Sequence, residues 1–329
     1  MTLLAKVSIL GLLISAFSIS GCQKTESQNT EKVASSNQHT AIKTLTIGFQ
    51  KSSLALLVAK QQKLFEQEFP KTKIEWREFP AGPQMLEALA VGAVDFGYVG
   101  NTPPIFAQAA VKPLRYIAYE VVPATGQAVL VHAKDQIDTL QDLKGKRIAV
   151  QKGSSAHELL AKTLQKAGLS WHDIQPIWLP PADARAAFDK QAVDAWAIWE
   201  PYLGTAELQG HTKTLIDGSA FPTTYSFYIG NPSFIQKHPE STLKLIKTIN
   251  LADQWIVQHQ DQALQIYVNS TGLSTPVAQR VLDKRPKPSP VQPLTTEVIQ
   301  HQQQIADLFK QEQLIPVHID IQHSVWTTQ

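Results

Sequence analysis

Two stretches of the chain carry nearly the same pattern of apolar and polar positions, about a hundred residues apart, a domain-scale spacing. "TIGFQKSSLALLVAK" (46–60) alternates, meets a serine pair, then places apolar residues at helical spacing. "RIAVQKGSSAHELLAK" (147–162) does the same, with Gly153 inserted in the turn, where backbone must bend or come close to something. Alternation predicts a strand, and the periodic run predicts a helix. Serine at the junction suits a helix start, because its oxygen accepts from a free backbone N–H.

A second pair lies downstream of each copy. "GPQMLEALAVGAVDFGYVGNTPP" (82–104) and "DARAAFDKQAVDAWAIWEP" (183–201) both read helix, short turn, Val-Asp, strand, and then a turn followed by proline. Val94-Asp95 and Val193-Asp194 coincide when the copies are aligned. Proline suits the first turn of a helix, where its missing N–H would have no partner anyway. Each half therefore repeats strand, helix, strand, helix. Alternation of this kind predicts an α/β fold, with sheets of parallel strands covered by helices on both faces.

In open α/β sheets ligands sit beyond the carboxyl ends of the strands. The ends predicted here are Gln50–Ser53, Gly100–Thr102, Gln151–Ser155 and Trp199–Pro201, and each is also a helix start. Free N–H groups and the helix dipole make such ends suited to anions. A single such turn is more often a good cap with no ligand. Four in a duplicated frame predict two lobes that present helix starts to one ligand between them.

The second lobe is read as residues 134–225, entered through "DLKGKRIAV" (142–150). The first lobe is read as 44–133 together with 226–329, to which "YSFYIGN" (225–231) returns the chain. The rest is helical: "PESTLKLIKTINLADQWIVQ" and "TTEVIQHQQQIADLF" are apolar at helical spacing, with Val298, Ile305, Leu308 and Phe309 on one face. Between them, "KRPKPSPVQP" reads as a proline-rich connector and an exposed arm.

Composition adds boundaries. A length of 329 residues suits about two domains. A net charge of +2 gives no nucleic-acid footprint, which requires basic residues clustered on one face. At the N-terminus, "VSILGLLISAFSISGC" (7–22) is apolar, yet shorter than the roughly 20 residues of a membrane span. It reads as a signal-peptide core. Ile19-Ser20-Gly21-Cys22 matches the bacterial lipobox, and Cys22, the only cysteine, is the expected lipidation site. The other reading is an ordinary signal or short anchor with an incidental cysteine. Residues 1–22 are thus read as a lipoprotein signal and 23–43 as a polar, flexible tether. The expected location is the periplasm or cell surface, lipid-anchored to a bacterial membrane.

Chemistry is expected to be sparse. There is no phosphate loop, no dinucleotide fingerprint and no H-E-x-x-H. The ten histidines show no paired ligand spacing, so no metal and no cofactor are expected. Ser155 and His157 are close in sequence, but G-x-S-x-G is missing.

"EFPAGPQMLEAL", "NTPPIFAQAA", "QKGSSAHELL", "PADARAAF" and "VDAWAIWEPY" together closely resemble the periplasmic aliphatic sulfonate-binding proteins of ABC transporters. The taurine- and nitrate-binding relatives look more distant. The resemblance runs from about Thr44 to Trp326. It implies a type II periplasmic binding fold: two lobes of parallel or mixed sheet, a ligand cleft, two crossovers, and closure about a hinge. It also implies a permease and an ATPase as partners, beside the alkanesulfonate ligand and the membrane reached by the lipid anchor, with a monomeric protein. Relatives often carry an acid where this chain has Asn101 and a glycine where it has Val111. A neutral Asn101 points to a simple alkanesulfonate rather than one with an ammonium group. The lipobox departs from relatives released free into the periplasm.

A sulfonate is a monoanion with three acceptor oxygens and no proton to donate, so a site of donors suits it. Under the resemblance the candidates are the Gln50 amide, the helix start at Gly100, Asn101 and Thr102, and the facing start at Ser154 and Ser155. His157 is a further donor, and Ser226 in the return crossover a lining residue. Trp199, at a strand exit, is the expected apolar wall for the alkyl tail. Trp196, three residues earlier, points to the opposite sheet face and is both a candidate and a core position. Glu200 is expected to avoid the sulfonate and contact the other lobe on closure. Arg185 is either a charge for the ligand or a solvated arginine. The expected function is capture without chemistry, in sulfur acquisition. The alternatives are a related anion or metabolite (taurine, nitrate, a pyrimidine precursor) and a desulfinase-like enzyme, which would need a cysteine other than Cys22.

Overall fold

The computed structural model describes residues 41–327. Cys22 with its lipobox, and most of the tether, lie outside the described residues. The chain opens with β1 (Thr44–Phe49), α1 (Leu54–Gln61), α2 (Leu64–Glu68), β2 (Lys73–Glu78), α3 (Gly82–Ala90), β3 (Phe96–Gly100), α4 (Thr102–Ala109) and β4 (Arg115–Val121). After β5 (Gln127–His132) the theme recurs: β6 (Arg147–Val150), α5 (Ser155–Ala167), β7 (Gln175–Trp178), α6 (Pro181–Asp189), β8 (Ala195–Trp199), α7 (Tyr202–Leu208) and β9 (Thr212–Asp217). β10 (Tyr225–Gly230) then leads to five helices: α8 (Pro232–Lys237), α9 (Pro239–Gln258), α10 (Gln260–Thr271), α11 (Thr275–Lys284) and α12 (Thr296–Gln311).

The two five-stranded sheets have the same plan, β2-β1-β3-β10-β4 and β7-β6-β8-β5-β9. In each, the first three strands run parallel, and one antiparallel strand is inserted from the other half of the sequence. β5 crosses into the second sheet and β10 returns to the first, so the backbone passes twice between the lobes. Strands covered on both faces read as near-continuous apolar runs. Accordingly β5 and β10 are buried along their whole length. One face of the first sheet packs against α1, α9, α10 and α11, and the other against α3, α4 and α12. The second sheet is covered by α5 on one face and by α6 and α7 on the other.

The duplicated Val-Asp has a structural explanation. Asp95 accepts from the Thr46 N–H at 2.8 Å, and Asp194 from the Arg147 N–H at 2.8 Å. Each returns its own N–H to the same residue's carbonyl. The aspartate thus satisfies the backbone where the parallel ladder begins, and the preceding valine is buried. Helix α9 spans the expected run, and Val298, Ile305 and Phe309 of α12 are buried while Leu308 is half-buried.

Three expectations are corrected. The repeat contains an additional strand in each half, β2 and β7. Both are half-exposed edge strands, so they lack the apolar signal of the central ones. The boundary expected at residue 133 falls too late, because β5 pairs with β8 and β9 and belongs to the second sheet from Gln127 onward. The proline-rich connector is not an exposed arm. Its Ser289 and Val291 are buried, Gln292 bridges to Tyr119, and Asp253 holds both Arg285 and the Ser289 N–H. No helix among the described residues is long and apolar enough to cross a membrane.

Candidate functional site

A cavity of about 120 Å³ lies where the carboxyl ends of the two sheets face each other. That is close to an engineered cavity of about 150 Å³ able to hold a benzene ring, so the site suits a small molecule. The first lobe contributes Gln50, Ser52, Ser53, Gly100, Ser226 and residues deeper along the strands, and the second contributes Gln127, Ser154, Ser155, Trp199 and Glu200. Both faces of the cavity carry helix starts. Ser52 and Ser53 precede α1, Gly100 precedes α4, and Ser154 is the residue before α5. First-turn N–H groups have no partner inside their own helix, which leaves them for a ligand or water.

Six of the expected residues line this cavity: Gln50, Gly100, Ser154, Ser155, Trp199 and Ser226. The Gln50 amide donates to the Tyr98 carbonyl at 3.0 Å, and the Gln50 N–H donates to Ser53 Oγ at 3.1 Å, which fixes the turn after β1. Ser154 Oγ donates to the Gln151 carbonyl at 2.7 Å. Trp199 is half-buried beside Tyr202.

Four expected residues are corrected. Trp196 is fully buried on the other face of β8, packed against Phe188. Asn101 is fully buried, and its amide donates to Glu158 at 3.1 Å and to Thr224 at 3.2 Å. Thr102 Oγ1 donates to Asn101 Oδ1 at 3.1 Å, turned inward with it. His157 lies among Phe106, Phe309, Trp171 and Trp178, in the first turn of α5 and off the cavity wall. Its Nδ1 accepts from the Gly153 N–H at 3.2 Å, so the ring proton sits on Nε2. Burial, helped by Lys152, pushes its pKa down to about 3, and the ring is neutral at ordinary pH. Arg185 also stands away from the cavity, paired with Asp189 at 2.7 Å and bonded to Gln209.

Two of these side chains, Asn101 and His157, join the lobes. Asn101 and Phe106 belong to the first lobe, whereas His157 and Glu158 lie on α5 of the second. On the opposite flank Glu200 pairs with Lys284 at 2.7 Å, and Lys284 also donates to the Thr125 carbonyl at 2.9 Å. Lys284 ends α11, which packs on α1 through α10. Glu200 therefore reaches across to the first lobe's helices, as expected of it, and keeps its charge compensated.

The cavity is also lined by residues not foreseen from the sequence: Tyr98, Glu120, Tyr228 and Arg285. The Tyr228 hydroxyl donates to Glu120 at 3.3 Å. Burial pushes the Glu120 carboxyl up to about 7, against the opposing pull of Arg285. Burial also raises Tyr98 and Tyr228 well above the usual phenol range, with Glu120 adding to it. The signal in the sequence was the end of a fourth strand at "YEVV", since strand ends carry the cavity wall. Among the described residues no cluster of His, Cys, Asp and Glu is arranged to hold a metal ion.

Comparison with known proteins agrees with this fold. The NMT1/THI5-like family model matches residues 50–263. The chain is 44% identical to the periplasmic aliphatic sulphonate binding protein SsuA from Escherichia coli, whose structure superposes with a TM-score of 0.79 over 86% of this chain and 97% of that one. The alkanesulfonate-binding protein SsuA from Xanthomonas axonopodis pv. citri, solved bound to MOPS, is also 44% identical. Its TM-score is 0.83, over 86% and 98% of the two chains. A Bacillus subtilis (strain 168) relative named for binding aliphatic sulfonates is 33% identical and covers 98% of this chain and 95% of its own.

Proposed function

The chain belongs to the NMT1/THI5-like family and, within it, to the aliphatic sulfonate-binding proteins, and from that premise we propose that it captures aliphatic sulfonates outside the cytoplasm and delivers them to an ABC importer. One observation carries the reading: a small cavity between the lobes meets helix starts from both, at Gly100 and at Ser154–Ser155. A sulfonate placed there accepts from backbone N–H groups and hydroxyls on two sides. Each hydrogen bond to a charged group contributes about 1.5–3 kcal/mol. Three or four of them, less the cost of ordering the ligand, support affinity near micromolar, about −8 kcal/mol. Trp199 offers the alkyl tail an apolar wall.

Two carboxylates border the cavity. Glu200 is neutralised by Lys284, and Glu120 stands two strands away from Gly100, with Ser226 between them. The anion therefore belongs against Gly100 and Ser155. Binding proceeds without covalent chemistry, since the one cysteine, Cys22, is the proposed lipid site. A permease and ATPase receive the loaded monomer, and the acylated Cys22 keeps it at the membrane.

Calorimetric titration of the purified protein with short alkanesulfonates, sulfate and nitrate tests the reading. Heat with a sulfonate and none with nitrate is the expected result. Binding of nitrate or a pyrimidine precursor alone would overturn it, and sulfite release from a sulfinate would show an enzyme. Mass spectrometry of the mature N-terminus tests the lipid.

A further inference from the structure

We propose that Glu120 receives the cationic end of a zwitterionic ligand, so that the site takes aminoalkanesulfonates in preference to simple alkanesulfonates of equal length. This rests on the sulfonate-binding reading above.

Gly100, Ser226 and Glu120 form one row across the first sheet, through the pairs Gly100–Ser226 and Ser226–Glu120. Strands lie about 4.8 Å apart, so the Glu120 backbone is roughly 10 Å from the Gly100 backbone along that row. Both border the same cavity. An anion at the Gly100 end leaves the opposite end of a short ligand facing Glu120.

The charges at that end do not balance. Arg285 is the cation that lines the cavity, but it is ion-paired with buried Asp253 at 2.6 Å, and its other terminal nitrogen donates to the Pro286 carbonyl. Asp253 also accepts from the Ser289 N–H, so this pair is locked into the connector. The other groups at Glu120 are the neutral hydroxyls of Tyr98 and Tyr228, and Ser226 bonds to Tyr98 in turn. One cation thus stands beside two carboxyls, and among the described residues Glu120 has no ion pair. A half-buried carboxylate without a counter-ion is unfavourable, and an ammonium group from the ligand supplies the missing charge. The expectation of a ligand without an ammonium group rested on Asn101, whose amide is turned to Glu158 and Thr224 instead.

Calorimetry with 3-aminopropanesulfonate and butanesulfonate, which match in chain length, tests the inference. The purified protein is expected to bind the amino compound about tenfold tighter or more, the scale of one charge-assisted hydrogen bond. In Glu120→Gln the preference disappears, and an unchanged far-ultraviolet circular dichroism spectrum shows that the variant is folded. Glu120→Asp, which keeps the charge, retains a preference. Equal binding of the two ligands by the unmodified protein, or a preference unchanged in Glu120→Gln, overturns the proposal. Binding of butanesulfonate without an ammonium preference sinks this inference alone. Failure of both ligands to bind sinks the sulfonate reading with it.

Discussion

Gly100 of the first lobe lies against Ser155 of the second: a Cβ on Gly100 would come within 3.2 Å of both Cβ and Oγ of Ser155. The glycine is required there for close approach between lobes. The Ser155 side chain sits within its own lobe's helix start, so it has little room to yield. Gly100→Ala is therefore expected to fold normally, to prop the lobes apart, and to weaken sulfonate binding by about tenfold or more. Titration calorimetry measures the affinity, and small-angle scattering of the liganded variant should show a larger radius of gyration than the parent.

Across the same seam the Asn101 amide donates to both Glu158 and Thr224. Glu158 is buried, and its other partner is Lys162. Asn101→Ala removes the two bonds and leaves a buried carboxylate oxygen short of a donor. A net loss of about 1–3 kcal/mol is expected for the closed arrangement. If closure is coupled to binding, the ligand dissociates faster. Stopped-flow dissociation rates would test this, and an unchanged rate would show that the contact is not part of closure.

His157 gives the stability a pH dependence of definite sign. Its folded pKa, about 3, lies below the ordinary 6.5 because burial disfavours the charged ring. Between those values the unfolded chain binds a proton that the folded chain does not. The contribution is complete above pH 6.5 and is lost as pH falls toward 3, by at most about 1.4 kcal/mol per pH unit. Thermal melts from pH 7.5 down to 4.5 should fall less steeply for His157→Phe, which keeps the aromatic packing without the proton site.

Val111 is 89% exposed and adopts a left-handed backbone, with φ of 57°. Its counterpart in the second lobe is Gly210, with φ of 75°, just as Gln191 stands where the first lobe has Gly92. A β-branched residue in this conformation is strained by roughly 1–2 kcal/mol. Val111→Gly relieves that strain, although the added freedom of the unfolded glycine offsets part of it. A net gain of about 1 kcal/mol is expected, read as a higher midpoint in urea with an unchanged slope.

The duplication, the α/β class, the central strands and the helix starts were legible in the sequence, because each is written in local periodicity and local caps. The repeated Val-Asp was visible as a pattern, and its role became plain only when Asp95 met Thr46 and Asp194 met Arg147, each nearly fifty residues away. β2 and β7 were hidden because half-exposed edges carry a weak apolar signal. His157 and Asn101 sat at the expected turns, yet their side chains are directed by Phe309, Glu158 and Thr224, which come from other parts of the chain.

What the sequence determined by itself was therefore the list of elements and the ends at which a ligand can bind, since backbone periodicity and capping depend on neighbouring residues. Tertiary structure decided which side chains face the ligand. Glu120 meets Tyr228 across 108 positions, and Arg285 meets Asp253 across 32. Such pairings exist only after two crossovers bring the strands into one sheet and the connector is pinned beneath it. The physical reason is that a side chain's environment is set by whatever packs on its face, and that partner is distant along the chain.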